Sequence, residues 1–188
     1  LTATEIVTAL PVPLVDPADV AATVLSATVL SQPVQTLDSL RAARHGGLDS
    51  EGVDLKESVE LPLMEVRALL DLGDVAKANR KLEDLAERVG WRWRLVWFKA
   101  VSELLTGDYD SATKHFTEVL DTFPGELAPK LALAATAELA GTSDERPFYK
   151  TVWHTDNNMI SAGFGLARAQ SVEGERAEIG ERGLVAAV

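Results

Sequence analysis

The feature of this sequence that most constrains its fold is a glycine that recurs every 34 residues. Gly73 lies in the string Leu-Gly-Asp-Val, and Gly107 lies 34 positions later in Thr-Gly-Asp-Tyr. A further 34 positions reach Gly141, and the next step lands one residue past Gly174. A constant period of this length indicates stacked copies of one small structural unit, each made of two helices joined by a turn.

The residues around each glycine suit a pair of packed helices. The glycine can adopt the positive φ that ends a first helix, and the following aspartate can cap a second helix. An alanine five positions after the glycine lets the two helices approach closely, and two large apolar residues follow on the same face. These small and apolar positions are Ala78, Leu82, Leu85, Ala112, Phe116 and Val119. Period and pattern are typical of the tetratricopeptide repeat.

We therefore predict an all-α fold, a tetratricopeptide-like helix–turn–helix solenoid preceded by a helical pair. The alternative is an ordinary helical bundle in which the glycines coincide. The repeats are assigned to residues 59–174, and their helices to 60–72, 75–88, 91–106, 111–122, 126–140, 145–154 and 159–172. No alternating apolar pattern is long enough for a convincing strand.

The segments outside the repeats differ in composition. Residues 1–15 contain two prolines and indicate a linker or tether, and residues 16–58 indicate an N-terminal helical pair and a polar loop. The pair is placed at 16–30, where Asp16 and Pro17 are typical of a helix start, and at 34–45. Residues 175–188 form an atypical C-terminal segment, because Gly180 and Gly183 interrupt helix propensity.

The charge composition disfavours two classes of binding partner. The chain has 18 basic and 29 acidic side chains and a net charge of −11, which disfavours nucleic acid and anionic membrane surfaces. It contains no cysteine, and no apolar run reaches the length that spans a bilayer. Residues 1–10 contain no basic region, so we expect no signal peptide. The leucine at position 1 indicates a fragment of a longer protein.

No catalytic or cofactor-binding motif is recognised. The chain lacks a phosphate-binding glycine loop that follows a strand, and it lacks the metal-binding spacing of histidines. His45, His115 and His154 are isolated in the sequence. Gly163 and Gly165 indicate close helix packing rather than a phosphate loop. We therefore expect no catalytic residue, metal site or cofactor.

A protein-binding groove is predicted from the phase of the repeat. First helices of tetratricopeptide units line the concave face, which places a candidate protein-binding groove at Arg67, Leu70, Arg94, Trp97, Val101, Leu131 and Ala135. Arg67 and Arg94 would suit an acidic partner segment, and the alternative is that they are solvated or ion-paired surface residues. Trp93 and Trp97 are interpreted as packing between repeats, with a binding hot spot as the alternative.

Several strings go beyond the generic repeat. They are WRWRLVW at 91–97, TGDYDSATKHF at 106–116, FPGELAPK at 123–130 and LSQPVQTLDSLR at 30–41. Together they closely resemble the C-terminal region of the mycobacterial-type serine/threonine protein kinase G family, over residues 1 to about 174. In that family a rubredoxin-like metal domain and a kinase domain precede the tetratricopeptide region, and neither occurs in this sequence.

The resemblance implies a non-catalytic protein–protein interaction and dimerisation module of a soluble serine/threonine protein kinase. Its implied partners are the attached kinase domain, a forkhead-associated regulator and a second copy of the chain. Its implied location is cytoplasmic, with export as well in pathogenic members. The alternative is a regulatory domain that acts directly on the attached kinase through residues 1–49.

The predicted self-association surface lies in the fourth unit. Because the segment after Gly174 departs from the repeat pattern, the apolar residues before it lack an assured covering helix. These candidate self-association residues are Met159, Ile160, Phe164 and Leu166.

Overall fold

The computed structural model describes residues 2–26, 33–46, 54–142 and 145–171, and within those ranges the fold is all-α with no β-strand. The helices are α1 Ala3–Ala9, α2 Ala22–Ser26, α3 Pro33–Gly46, α4 Glu60–Asp71, α5 Val75–Val89, α6 Trp93–Thr106, α7 Tyr109–Thr122, α8 Leu127–Ala140 and α9 Glu145–Thr155, with a 3-10 turn at Leu55–Glu57. A further helix, α10, is described over residues 160–171. The predicted fold class is confirmed.

The recurring glycines end the first helix of each unit. Gly73, Gly107 and Gly141 have φ of 75°, 80° and 70°, a region in which other residues are strained. The next amide then folds back on the helix: that of Asp108 donates to the Glu103 carbonyl at 3.0 Å. The predicted phase of the repeat is therefore correct at three glycines, and Gly174 lies outside the described residues.

The aspartates after two of these glycines cap the second helices. The Asp74 carboxylate accepts the Lys77 amide at 3.3 Å, and the Asp108 carboxylate accepts the Ser111 amide at 3.2 Å. Hydrogen bonds from the Lys77 and Ser111 side chains, and then those from the two amides, lower the pKa of both carboxyl groups. The charged form that caps a helix is therefore favoured.

The core lies between the paired helices. The six small and apolar positions predicted for α5 and α7, named above, are all buried. Two edge-to-face pairs add to the second unit: the Trp97 and Phe116 ring centroids lie 5.2 Å apart, and those of Trp93 and Phe123 lie 5.1 Å apart. The tryptophans therefore have a packing role, and both of these ring partners belong to the same repeat.

The tether predicted for residues 1–15 is wrong for its first part, because residues 3–9 form a helix. Thr2 starts that helix with a reciprocal cap: its amide donates to Glu5 at 2.7 Å, and its hydroxyl accepts the Glu5 amide at 3.3 Å. Ile6, Val7 and Leu10 are buried. The two prolines that suggested a tether come only after this helix has ended.

The predicted helix at 16–30 is also corrected. Asp16 and Asp19 each close a short turn, with their carboxylates accepting the amides of Ala18 and Ala21 at 2.9 Å, and the helix begins only at Ala22. The Asp19 carboxylate accepts hydrogen bonds from residues far along the chain, and no helix starts at Pro17. Residues 27–32 and the predicted C-terminal segment 175–188 lie outside the described residues.

Candidate protein-interaction site

The first helices α4, α6 and α8 together form one surface, here called the first-helix face. All seven predicted groove residues lie on these helices, and five of them are buried. The buried members are Leu70, Trp97, Val101, Leu131 and Ala135. These five side chains are therefore not accessible to a partner in this structure.

Helix α1 lies against this face. It packs against α4 and α6, and its residues Ile6 and Leu10 belong to the same hydrophobic core as the buried groove residues. Ile6 and Leu10 also border a cavity of 230 Å³ together with Leu131, Ala135 and Phe164. An amphipathic helix thus lies where a ligand of the repeat would be expected.

The chain after α1 continues along the same face without regular secondary structure. Arg94 holds this stretch, donating from Nη2 and Nε to the Leu14 carbonyl at 3.0 and 3.3 Å. Between residues 11–14 and the rings of Trp97 and Phe123 lies a cavity of 460 Å³. The Leu14 side chain is 85% exposed and does not fill that cavity.

Arg94 lies at the centre of a small group of charges. Its Nε is 3.2 Å from Glu60 Oε1, its Nη1 is 4.0 Å from Asp16 Oδ2, and its guanidinium lies 4.6 Å from the centre of the Trp93 ring. Burial raises the pKa of the Glu60 carboxyl, and the Arg94 charge opposes that shift. Arg94 is thus ion-paired, as the alternative interpretation held.

Arg67 is paired as well. Its Nε donates to both carboxylate oxygens of Asp71, at 2.9 and 3.1 Å, one turn along the same helix. An acidic partner segment would therefore compete with an existing carboxylate at each predicted arginine.

The four candidate self-association residues divide into two pairs. Ile160 and Phe164 expose 61% and 63% of their surface and lie one turn apart on α10, so they share a face. Met159 and Leu166 are half-buried and pack against the core. Only the first pair is available to a second molecule in this structure.

The glycines of α10 permit a close approach to α9. A Cβ atom at Gly163 would lie 2.9 Å from the Trp153 ring, and one at Gly165 would collide with the Tyr149 ring. The interpretation of this glycine pair as a close helix contact is confirmed.

Sequence reasoning missed a polar clamp at Asp19. One oxygen accepts the Ser58 hydroxyl at 2.6 Å, and the other accepts the amides of Val59 and Glu60 at 2.9 and 3.1 Å. Val59, at the start of α4, has no capping side chain of its own. Asp19 therefore caps a helix that begins about 40 residues later, and no local pattern signals that pairing.

A second polar cluster, also missed, joins α8, α9 and α10. Glu138 accepts the Tyr149 hydroxyl at 2.6 Å and Arg168 Nε and Nη2 at 2.5 and 2.9 Å. Burial acts to raise the Glu138 pKa, but the hydrogen bonds from Arg168 and Tyr149 outweigh it, and the net shift is downward. Burial and the Glu138 charge raise the pKa of Tyr149, so its proton stays in the hydrogen bond.

Two other kinds of site, a metal centre and a membrane span, are absent from the described residues. There, no group of three or more histidine, aspartate or glutamate side chains is arranged to hold a metal ion. None of the helices in those ranges is both long and apolar enough to cross a membrane.

Comparison with known proteins yields one family and close relatives. The family model described as "Protein kinase G tetratricopeptide repeat" matches residues 1–181. The chain is 84% identical over 176 residues to the serine/threonine-protein kinase PknG of Mycolicibacterium smegmatis, and 80% identical over 176 residues to that of Mycobacterium leprae. Each alignment covers 94% of this chain and 23% of the relative, so the chain spans about a quarter of those proteins.

Proposed function

This chain belongs to the protein kinase G tetratricopeptide repeat family, and from that premise we propose that it is a non-catalytic protein–protein interaction and dimerisation module of a serine/threonine protein kinase. Its role is to support the kinase and to hold protein partners. The family resemblance suggests as partners the attached kinase domain and a forkhead-associated regulator.

The observation that supports interaction most directly is the occupied first-helix face. Ile6, Val7 and Leu10 bury one side of α1 against it, while Thr4 and Thr8 on the other side stay in water. A surface that takes up one amphipathic helix has the shape and apolar character for helix-in-groove recognition.

Dimerisation is supported by the exposed pair on α10. Ile160 and Phe164 place two large apolar side chains on one helix face in water, and exposed apolar clusters mark interaction sites. A two-fold contact between identical chains would bring each pair against its copy and remove both from solvent.

Light scattering at tens of micromolar tests the dimer. We expect a mass of twice the 20.2 kDa of the chain, and a monomer after Phe164→Asp, because the carboxylate would have to be desolvated in the interface. Leu72→Asp is the matched control, since Leu72 is a 47% exposed leucine at the other end of the repeats. A monomeric wild-type chain would refute the dimer, and a dimer insensitive to Phe164→Asp would place the interface elsewhere.

The alternative is a regulatory domain that acts directly on the attached kinase through residues 1–49. It is favoured by the anchoring of residues 2–26 on the repeats through Ile6, Asp19 and the Leu14 carbonyl. A domain joined ahead of this stretch would be held close to the repeats. The two functions are separated by the activity of the attached kinase on a peptide substrate that needs no docking, measured with and without this chain. If the chain is only a docking module, that activity stays unchanged.

A further inference from the structure

We propose that the first-helix face is a peptide-binding groove kept closed by residues 2–14, which act as a displaceable intramolecular ligand. The partner that opens it is a segment of another protein with matching chemistry: an amphipathic helix with apolar residues at the spacing of Ile6, Val7 and Leu10, followed by Pro-x-Pro. This inference rests on the proposed interaction function and names the partner class for it.

The small contact surface of α1 makes it separable. It has 7 residues and buries Ile6 and Val7, with Leu10 just beyond its end, whereas α6 has 14 residues and buries eight of them. Elements with few buried apolar contacts open locally at a lower free energy than the core does. Helix α1 can therefore leave the face while α6 stays folded.

Removal of the segment leaves Arg94 with an ion partner. Arg94 binds the Leu14 carbonyl, but it also pairs with Glu60 Oε1 at 3.2 Å and lies over the Trp93 ring. That ion pair is formed within α4 and α6 and persists when residues 2–14 depart. Departure of the segment therefore does not incur the cost of leaving the Arg94 charge unpaired.

A fixed point follows the segment and limits how far it can move. Asp19 binds the Ser58 hydroxyl and the amides of Val59 and Glu60, so the chain stays attached five residues beyond Leu14. A ligand on so short a tether has an effective concentration in the millimolar range, which keeps the groove closed against weak competitors.

The resident segment leaves room that a partner can use. The cavity of 460 Å³ beside Trp97 and Phe123 stays open, although Val12 and Leu14 lie at its edge with exposed side chains. A partner with larger side chains after its prolines would bury more apolar surface there and so compete successfully. The resident segment therefore closes the groove but leaves this cavity unfilled, so that a partner with more apolar contact can replace it.

The test uses a fluorescent synthetic peptide with the sequence of residues 2–15 and the full chain. Leu10→Asp should detach the resident segment, because the introduced carboxylate cannot be buried against the first-helix face. Thr8→Asp is the matched control, since Thr8 is exposed on the same helix. We expect anisotropy to show binding to the Leu10→Asp chain at least about tenfold tighter than to the wild-type or Thr8→Asp chain.

Three results would overturn the proposal. Equal binding to all three chains would put the peptide site elsewhere, and no binding to a Leu10→Asp chain with a normal melting transition would make the segment a fixed part of the fold. Loss of the whole fold in that variant would show that the segment is not separable. None of these results depends on the mass measured by light scattering. Failure of this proposal can therefore be told apart from failure of the proposed dimer.

Amide hydrogen exchange on the unmodified chain gives an independent reading. Amides of residues 6–10 should exchange much faster than those of α6, and addition of the competing peptide should speed them further. Equal protection of α1 and α6 would contradict a displaceable segment. The proposal would also be overturned if the wild-type chain were a dimer that Leu10→Asp, but not Phe164→Asp, converts to a monomer. The partner of the first-helix face would then be a second copy of this chain.

Discussion

At the scale of single residues, Asp19 illustrates how one carboxylate can organise distant parts of the chain. It accepts hydrogen bonds from the Ser58 hydroxyl and from the amides of Ala21, Val59 and Glu60. Burial acts to raise its pKa, yet these donors outweigh burial and the net shift is downward. The ionised form is therefore the one that holds the start of α4 in place.

We predict that Asp19→Ala lowers the free energy of unfolding by about 1–3 kcal/mol, because it leaves partly buried donors without an acceptor. Urea unfolding followed by circular dichroism measures the change. Asp38→Ala is the control: Asp38 is exposed and its ion pair with Arg41 is 3.7 Å long, so the expected loss is within about 0.5 kcal/mol. Equal losses in the two variants would contradict the capping role.

At the scale of elements, the contact between α9 and α10 depends on glycine. A Cβ atom at Gly165 would overlap the Tyr149 ring, and Tyr149 is fixed by its hydrogen bond to Glu138. Helix propensity alone would make alanine better than glycine here by about 0.5–1 kcal/mol. The close approach to the Tyr149 ring opposes that gain. The sign of the change in stability on Gly165→Ala therefore shows whether the close contact is present.

We predict that Gly165→Ala destabilises the chain by about 1–3 kcal/mol, the usual cost of overpacking a tight contact. Thermal melting followed by circular dichroism gives the sign directly. Gly125→Ala serves as the comparison, since a Cβ atom there would meet nothing within 4 Å and the effect should be small. A Gly165→Ala chain more stable than the wild type would show that α10 does not pack against Tyr149 in this way.

At the scale of the whole molecule, the excess of acidic side chains, with a net charge of −11, makes the free energy of unfolding worth measuring at acid pH, where carboxyl groups gain protons. The pKa values of Asp19, Asp74, Asp108 and Glu138 are lowered in the folded chain, whereas burial raises that of Glu60. Groups with a lowered pKa contribute stability that is present above their unfolded pKa and lost as the pH falls through the folded value. The raised pKa of Glu60 acts in the opposite sense.

We therefore predict that the free energy of unfolding falls as the pH drops below the ordinary glutamate pKa of 4.5. Glu138→Gln should flatten that decline, because the amide cannot lose a proton and the variant lacks the ion pair with Arg168 at every pH. Urea unfolding at several pH values measures the slope, with the exposed Glu83→Gln as control. An unchanged slope in Glu138→Gln would exclude a contribution from this carboxylate.

Much of the fold is local and so was predictable from the sequence. Gly107 and Asp108 end one helix and begin the next through hydrogen bonds that span three to five residues. The apolar stripe of α7 follows from helical periodicity in the same way. The resemblance to the kinase family also extends over most of the chain and is confirmed by the relatives.

The sequence by itself determined the repeat unit, the order of the helices from α4 to α9 and the family, because each depends on neighbouring residues or on strings of letters. The tertiary structure alone decided that α1 covers the predicted groove, that Arg94 pairs with Glu60 and that Asp19 caps α4. Leu14 and Arg94 are 80 residues apart. No local pattern encodes such a pairing, because it depends on which buried surfaces meet when the whole chain packs.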